Sequence, residues 1–137
     1  MSTNITADCL VNPTEDQSKV ERALHNVFPA APINRTKLAE DVVKLEVVGT
    51  GLEFLRTLRS LIKRERIRSA ARRILLNGAS GSQLRFHLNK QAAFVGRVSF
   101  CEPVGESPLG PISVQIETED PMNVIDFLAS EPSPMPR

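Results

Sequence analysis

The sequence predicts a single α+β domain: a five-stranded, mostly antiparallel sheet with helices packed on one face. Three observations predict it. Short segments alternate apolar and polar residues with period two, as half-buried strands do. Other segments repeat apolar residues every three or four positions, and the two kinds follow one another as β-α-β-α-α-β-β-β-α. The chain has 137 residues, 41% hydrophobic and 24% charged, which suffices for one core and is an ordinary globular balance. Residues 1–130 are read as the domain and 131–137, with three prolines, as a flexible tail.

The first strand is carried by Ile5, Ala7, Cys9 and Val11 and stops at Asn12-Pro13. Thr14 with Gln17 three positions on fits a capping box, and Glu15 and Asp16 suit the positive end of a helix. That helix shows Val20, Ala23, Leu24, Val27 and Phe28 on one side and ends at Pro29 and Pro32. A second strand runs over 42–48, with Val43, Leu45 and Val47 facing one way and Lys44 and Glu46 the other; Gly49-Thr50-Gly51 breaks it.

Leu52, Leu55, Leu58, Leu61 and Ile62 begin the next helical stretch, and Ile67, Ala70, Ala71, Ile74 and Leu75 continue it. At 100° per residue these two stripes point to nearly opposite sides of one straight cylinder. Two short helices with a bend near 64–66 resolve the conflict, the second closed by Asn77 and Gly78 in left-handed geometry. Ala79–Ser82 reads as a flexible loop. Leu84, Phe86 and Leu88, then Ala92, Phe94, Gly96, Val98 and Phe100, predict two strands joined through Asn89-Lys90-Gln91 as a hairpin. Pro103–Pro111 reads as a loop, and Ile112, Val114 and Ile116 as the fifth strand. Asp120 caps a last short helix that has Pro121 at its first position and runs to about Ala129.

Charge is distributed unevenly along these elements. Residues 56–73 hold eight of the seventeen basic side chains and a single acid, Glu65, for a formal +7. The remaining nine basic and fifteen acidic residues leave −6, so the total of +1 conceals the asymmetry. Arg outnumbers Lys seven to one in this segment, and its planar fork suits bidentate phosphate contacts. The candidate RNA-contacting residues are therefore Arg66, Arg68, Arg72 and Arg73, together with Arg56, Arg59, Lys63 and Arg64. Two other readings stand beside this one: an ordinary solvated helix face, and arginines paired with the acids elsewhere in the molecule or across a homodimer. Structured RNA, held through phosphates, fits better than exposed bases, because the aromatic content is 4%, all of it six Phe.

Other features assign no chemistry. No stretch approaches the roughly 20 apolar residues of a membrane span, and Met1–Thr6 lacks the basic and apolar regions of a signal peptide, so a cytoplasmic location is expected. Cys9 and Cys101 lie far apart in apolar runs and are expected as buried free thiols. His25 is placed at a helix surface and His87 on the strand face shared with Arg85; neither has a Ser or Cys partner by spacing. Asn77–Ser82 lacks the Gly-Lys-Ser/Thr ending of a phosphate-binding loop, and the acids Glu117, Glu119 and Asp120 are better explained by capping than by a cation. No catalytic, cofactor-binding or metal-ligating residue is assigned.

Three stretches together resemble a known family. They are Val11-Asn12-Pro13-Thr14-Glu15-Asp16 running on through Asn26-Val27-Phe28-Pro29, then Leu88-Asn89-Lys90-Gln91-Ala92-Ala93 with Gly96-Arg97-Val98, and finally Glu106-Ser107-Pro108-Leu109-Gly110-Pro111-Ile112. In this order they are similar to the archaeal uncharacterised protein family 0201, over roughly Ile5 to Ala129. The resemblance implies a fold like that of the large-subunit ribosomal protein that contacts 5S RNA, and a non-enzymatic RNA-binding role. It carries no site residues. The alternative is a structural or assembly protein that forms a homodimer or docks on an acidic protein partner.

Overall fold

A computed structural model describes residues 3–101 and 110–130. The elements run β1 (Thr3–Val11), α1 (Gln17–Val27), β2 (Asn34–Ala39), β3 (Val42–Thr50), a 3-10 turn (Leu52–Leu55), α2 (Arg56–Arg64), α3 (Arg68–Asn77), β4 (Ala79–Ser80), β5 (Gln83–Leu88), α4 (Lys90–Phe94), β6 (Ile112–Thr118) and α5 (Pro121–Leu128). The sheet is antiparallel throughout, in the order β2-β3-β1-β6-β5-β4. It has six strands where the sequence predicted five.

One face of the sheet is apolar. Ile5, Ala7 and Cys9 of β1 lie across from Leu45 and Val47 of β3 and from Val114 and Ile116 of β6, which in turn meet Leu84 and Phe86 of β5. All are buried, and the helices cover them with Leu24, Val27, Leu58, Ile62, Leu75 and Ile125. The strand alternation expected for β1, β3, β5 and β6 is therefore present, because each has one wet and one dry face.

The differences have local causes. β2 carried no signal: all six of its residues are exposed, so it is an edge strand held by backbone pairing to β3 without an apolar face. The residues 79–82, expected as a loop, include the two-residue strand β4, which turns back onto β5. The expected strand 92–100 is instead α4 and a following coil. Asn89 ends β5 and caps the helix, its side chain accepting from the Ala92 backbone N–H at 2.9 Å; of the predicted hairpin only a bridge between Leu88 and Phe100 remains. At α1 the capping residue is Asp16, bonded to the N–H and hydroxyl of Ser18 at 3.0 and 2.7 Å, and not Thr14. Gly49 and Thr50 extend β3, and Gly49 is required for space: a Cβ there would lie 2.2 Å from the ring of Phe54, which stacks on Phe28.

Glu15, left over from capping, holds α4 in place. The Lys90 side chain, 3% exposed, donates to the carbonyl of Leu10 at 2.8 Å and to both Glu15 oxygens at 3.0 and 3.1 Å. Glu15 also accepts from the backbone and side-chain nitrogens of Asn12 at 2.9 and 2.8 Å. Burial alone would raise the Glu15 pKa, but these donors outweigh it and hold the carboxyl below its ordinary value. Cys9 and Cys101 form no disulfide with one another; Cys9 is buried as expected and Cys101 only half-buried, and burial pushes the Cys9 thiol up to about 12. No helix among the described residues is long and apolar enough to cross a membrane. The predicted 103–111 loop lies almost wholly outside the described residues, and the 131–137 tail entirely so.

Candidate nucleic-acid interface

The basic segment folds as two helices, α2 and α3, so the opposed apolar stripes both reach the core: Leu58, Leu61 and Ile62 from one, Ala71 and Leu75 from the other. The bend between them is a Schellman motif. Ile67 N–H bonds the Ile62 carbonyl at 3.3 Å and Arg66 N–H bonds Lys63 at 3.1 Å. Arg66 occupies the left-handed position with φ 59°, the one non-glycine residue there among those described. Gly78, expected to be left-handed, has φ −88°. Its lack of a side chain matters for another reason: a Cβ would sit 2.0 Å from the Arg85 carbonyl of β5.

The eight predicted residues divide by what their guanidinium or ammonium groups touch. Arg72 is the most committed. It is 16% exposed at the side chain and donates to Asp126 at 2.7 Å and to the Ala129 carbonyl at 3.0 Å, where a cation also favours the negative end of α5. Arg68 donates to the Ser130 hydroxyl at 3.1 Å. Arg59 lies over the Phe127 ring at 5.1 Å. Arg64 donates to the Gly96 carbonyl and lies 3.8 Å from Glu65, and Arg56 makes a loose 3.9 Å pair with Glu53. Lys63, Arg66 and Arg73 are exposed and make no side-chain bond or ion pair among the described residues. The α2 and α3 groups converge, since Arg59, Arg68 and Arg72 all reach the stretch 126–130 at the end of α5.

The structure adds two basic residues from other elements. Arg97 pairs with Glu65 at 2.9 Å while staying largely exposed. Arg22 of α1 lies over Phe94 of α4, 5.7 Å from its centroid. Sequence reasoning missed both because it placed Arg97 in a strand and had no way to bring α1 beside α4. From the end of α2, contacts therefore run through Arg64, Gly96 and Arg97 toward Phe94 and Arg22.

The opposite face of the sheet is polar. Paired positions put Glu46, Asp8, Ser113 and His87 in one row across β3, β1, β6 and β5. Burial raises the Asp8 carboxyl, partly countered by Lys44. Ser113 stands between the acid and the imidazole in this row, so the order is not that of a nucleophile activated by a His that an acid orients. His25 is exposed on α1, and Asp120 caps α5 by accepting from the Asn123 N–H.

Comparison with known proteins gives one consistent result. A family model described as RNA binding matches residues 4–119. A UPF0201 protein of Methanopyrus kandleri is 44% identical over 140 residues, covering 96% of this chain and 87% of that protein. One from Sulfolobus acidocaldarius is 37% identical over 126 residues, covering 92% and 86%. The crystal structure of a UPF0201 protein from Methanococcus jannaschii superposes with a TM-score of 0.85 at 31% identity, covering 95% of each chain.

Proposed function

The chain belongs to the archaeal UPF0201 family, within the reach of an RNA-binding family model, and we propose that it is a non-enzymatic protein that grips the phosphates of structured RNA through the α2–α3 surface. One observation carries the proposal. Lys63, Arg66 and Arg73 are exposed cations with no internal partner among the described residues, in a molecule whose net charge is only +1. Local positive charge of this kind attracts a polyanion without making the whole surface adhesive. Arg56, Arg59, Arg64 and Arg68 border the same surface and keep donors to spare after their internal contacts. Arg72 acts there by positioning α5. A likeness to the ribosomal protein that contacts 5S RNA belongs to the same proposal.

The test is direct. Arg66, Arg68 and Arg73 are replaced together by Glu, leaving Arg72 and its contacts with α5 intact. Binding of a labelled, structured archaeal RNA by wild type weakens steeply with salt, and the triple variant binds too weakly to measure. Neutralising the same three positions with Gln flattens the log–log salt slope by about 2 to 3. Equal affinity and equal slope for the folded variants and wild type at matched salt would falsify the assignment.

A further inference from the structure

We infer that the cleft between α1 and α4 is a pocket for one unstacked nucleobase of the bound RNA, an inference that rests on the RNA-binding reading and sharpens it. The cleft has a volume of about 330 Å³, at the small end of ligand sites, which run from roughly 300 to 1,000 Å³. Its walls are Val20, Ala23 and Phe94, and its rim is Thr14, Asp16 and Gln91. The base of the cleft is the Lys90–Glu15 pair. All of the Lys90 contacts described above are taken by Leu10 and Glu15, so the lysine holds the floor rigid and is not offered to an anion.

Charge decides what enters. Glu15, Asp16, Lys19 and Lys90 line the cleft, two acids against two bases, and Asp16 stays ionised because the Ser18 hydroxyl and N–H bond it. A phosphate would be repelled by those carboxylates; a neutral planar ring would not be. It would find apolar walls, an aromatic ring for stacking, and the polar edge of Thr14, Asp16 and Gln91 for its hydrogen bonds. The phosphates on either side would remain outside, where cations stand. Lys19 is at one edge of the cleft, and Arg22 lies over the same Phe94. Two residues beyond Phe94, the Gly96 carbonyl takes Arg64 of α2, and Arg97 follows, paired to Glu65. The pocket thus opens at the end of the basic surface. The chain has six Phe and no Trp or Tyr, which argues against a multi-base stacking platform, but one ring serves one base.

The RNA recognised would be a helix carrying an extruded nucleotide. Fluorescence anisotropy with a labelled RNA duplex, perfect or with a single-nucleotide bulge, tests this at fixed salt. Wild type binds the bulged duplex roughly tenfold tighter, within the range for base–aromatic stacking. Phe94→Leu, which keeps apolar volume, and the exposed Gln91→Ala each reduce that preference to less than about threefold while perfect-duplex affinity holds. Separately, adenosine monophosphate shifts the NMR methyl signals of Val20 and Ala23 in wild type, and ribose 5-phosphate does not. Equal wild-type affinity for both duplexes, or a preference that survives both substitutions, overturns the pocket and leaves RNA binding standing. The same holds if ribose 5-phosphate moves the methyl signals as adenosine monophosphate does. Failure to bind either duplex strikes the parent reading, and the pocket with it.

Discussion

Lys90 and Arg66 are both basic residues set beside a helix end, and they do opposite things. Lys90 is 3% exposed and spends its ammonium group on Leu10 and Glu15. Arg66 stands in solvent with a strained backbone and no internal partner among the described residues. The first cation is part of the fold. The second contributes nothing that the fold alone requires. Counting charge along the sequence does not separate these uses, but burial and hydrogen bonding do, and each can be tested by substitution.

The largest effect belongs to the buried side of this comparison. Lys90→Ala strands the Glu15 carboxylate in a site where Asn12 alone bonds it, and breaking a buried pair from one side typically costs about 3–5 kcal/mol. Urea denaturation is expected to show a loss of this size. Replacing both partners, Glu15→Gln with Lys90→Met, keeps an acceptor for the Asn12 N–H and recovers most of it, since the expense lies in the unpaired charge. A single variant as stable as wild type would mean that α4 does not depend on the pair.

Arg72 and its neighbour Arg73 sharpen the contrast within one helix. Arg72→Ala removes charge-assisted bonds to Asp126 and to the last turn of α5, a loss of about 1–2 kcal/mol. Arg73→Ala changes stability by less than about 0.5 kcal/mol but weakens RNA binding and lowers the salt slope by about 0.7–0.9, one phosphate contact. Denaturation and anisotropy measured on both variants check the crossing. If Arg73 were the costlier of the two for stability, the division between fold-holding and RNA-facing arginines would be wrong.

How much of this was legible in the sequence follows from what each residue's neighbours are. β1, β3, β5 and β6 could be read because one face of each is buried, and the α2–α3 bend because two apolar stripes cannot share one cylinder. β2 could not be read, since an exposed edge strand has no periodicity. The segment after Asn89 was misread because Ala92, Phe94 and Val98 alternate by accident, while the buried Lys90 and the Ala93 carbonyl of α4 are held by contacts 67 to 80 residues away in sequence. For the candidate site, the basic segment was visible and its division was not. That Arg72 serves α5, and that Arg22 and Arg97 join the surface, depend on tertiary contacts that spacing does not encode.

Arg66 gives a small effect and the clearest sign. The left-handed conformation costs a residue with a side chain about 1–2 kcal/mol, and glycine is the usual occupant at this position of a Schellman motif. Glycine gives part of that gain back through its freer unfolded chain, so Arg66→Gly is expected to stabilise the protein by about 1 kcal/mol or somewhat less. Arg66→Ala keeps the backbone strain and leaves stability near wild type. Both variants lose the guanidinium and should weaken RNA binding equally. A substitution that makes the fold stronger and the binding weaker would identify strain retained for function. If the glycine variant is no more stable than the alanine one, the backbone is not strained at residue 66. If neither variant loses RNA affinity, Arg66 is not held in that conformation for RNA.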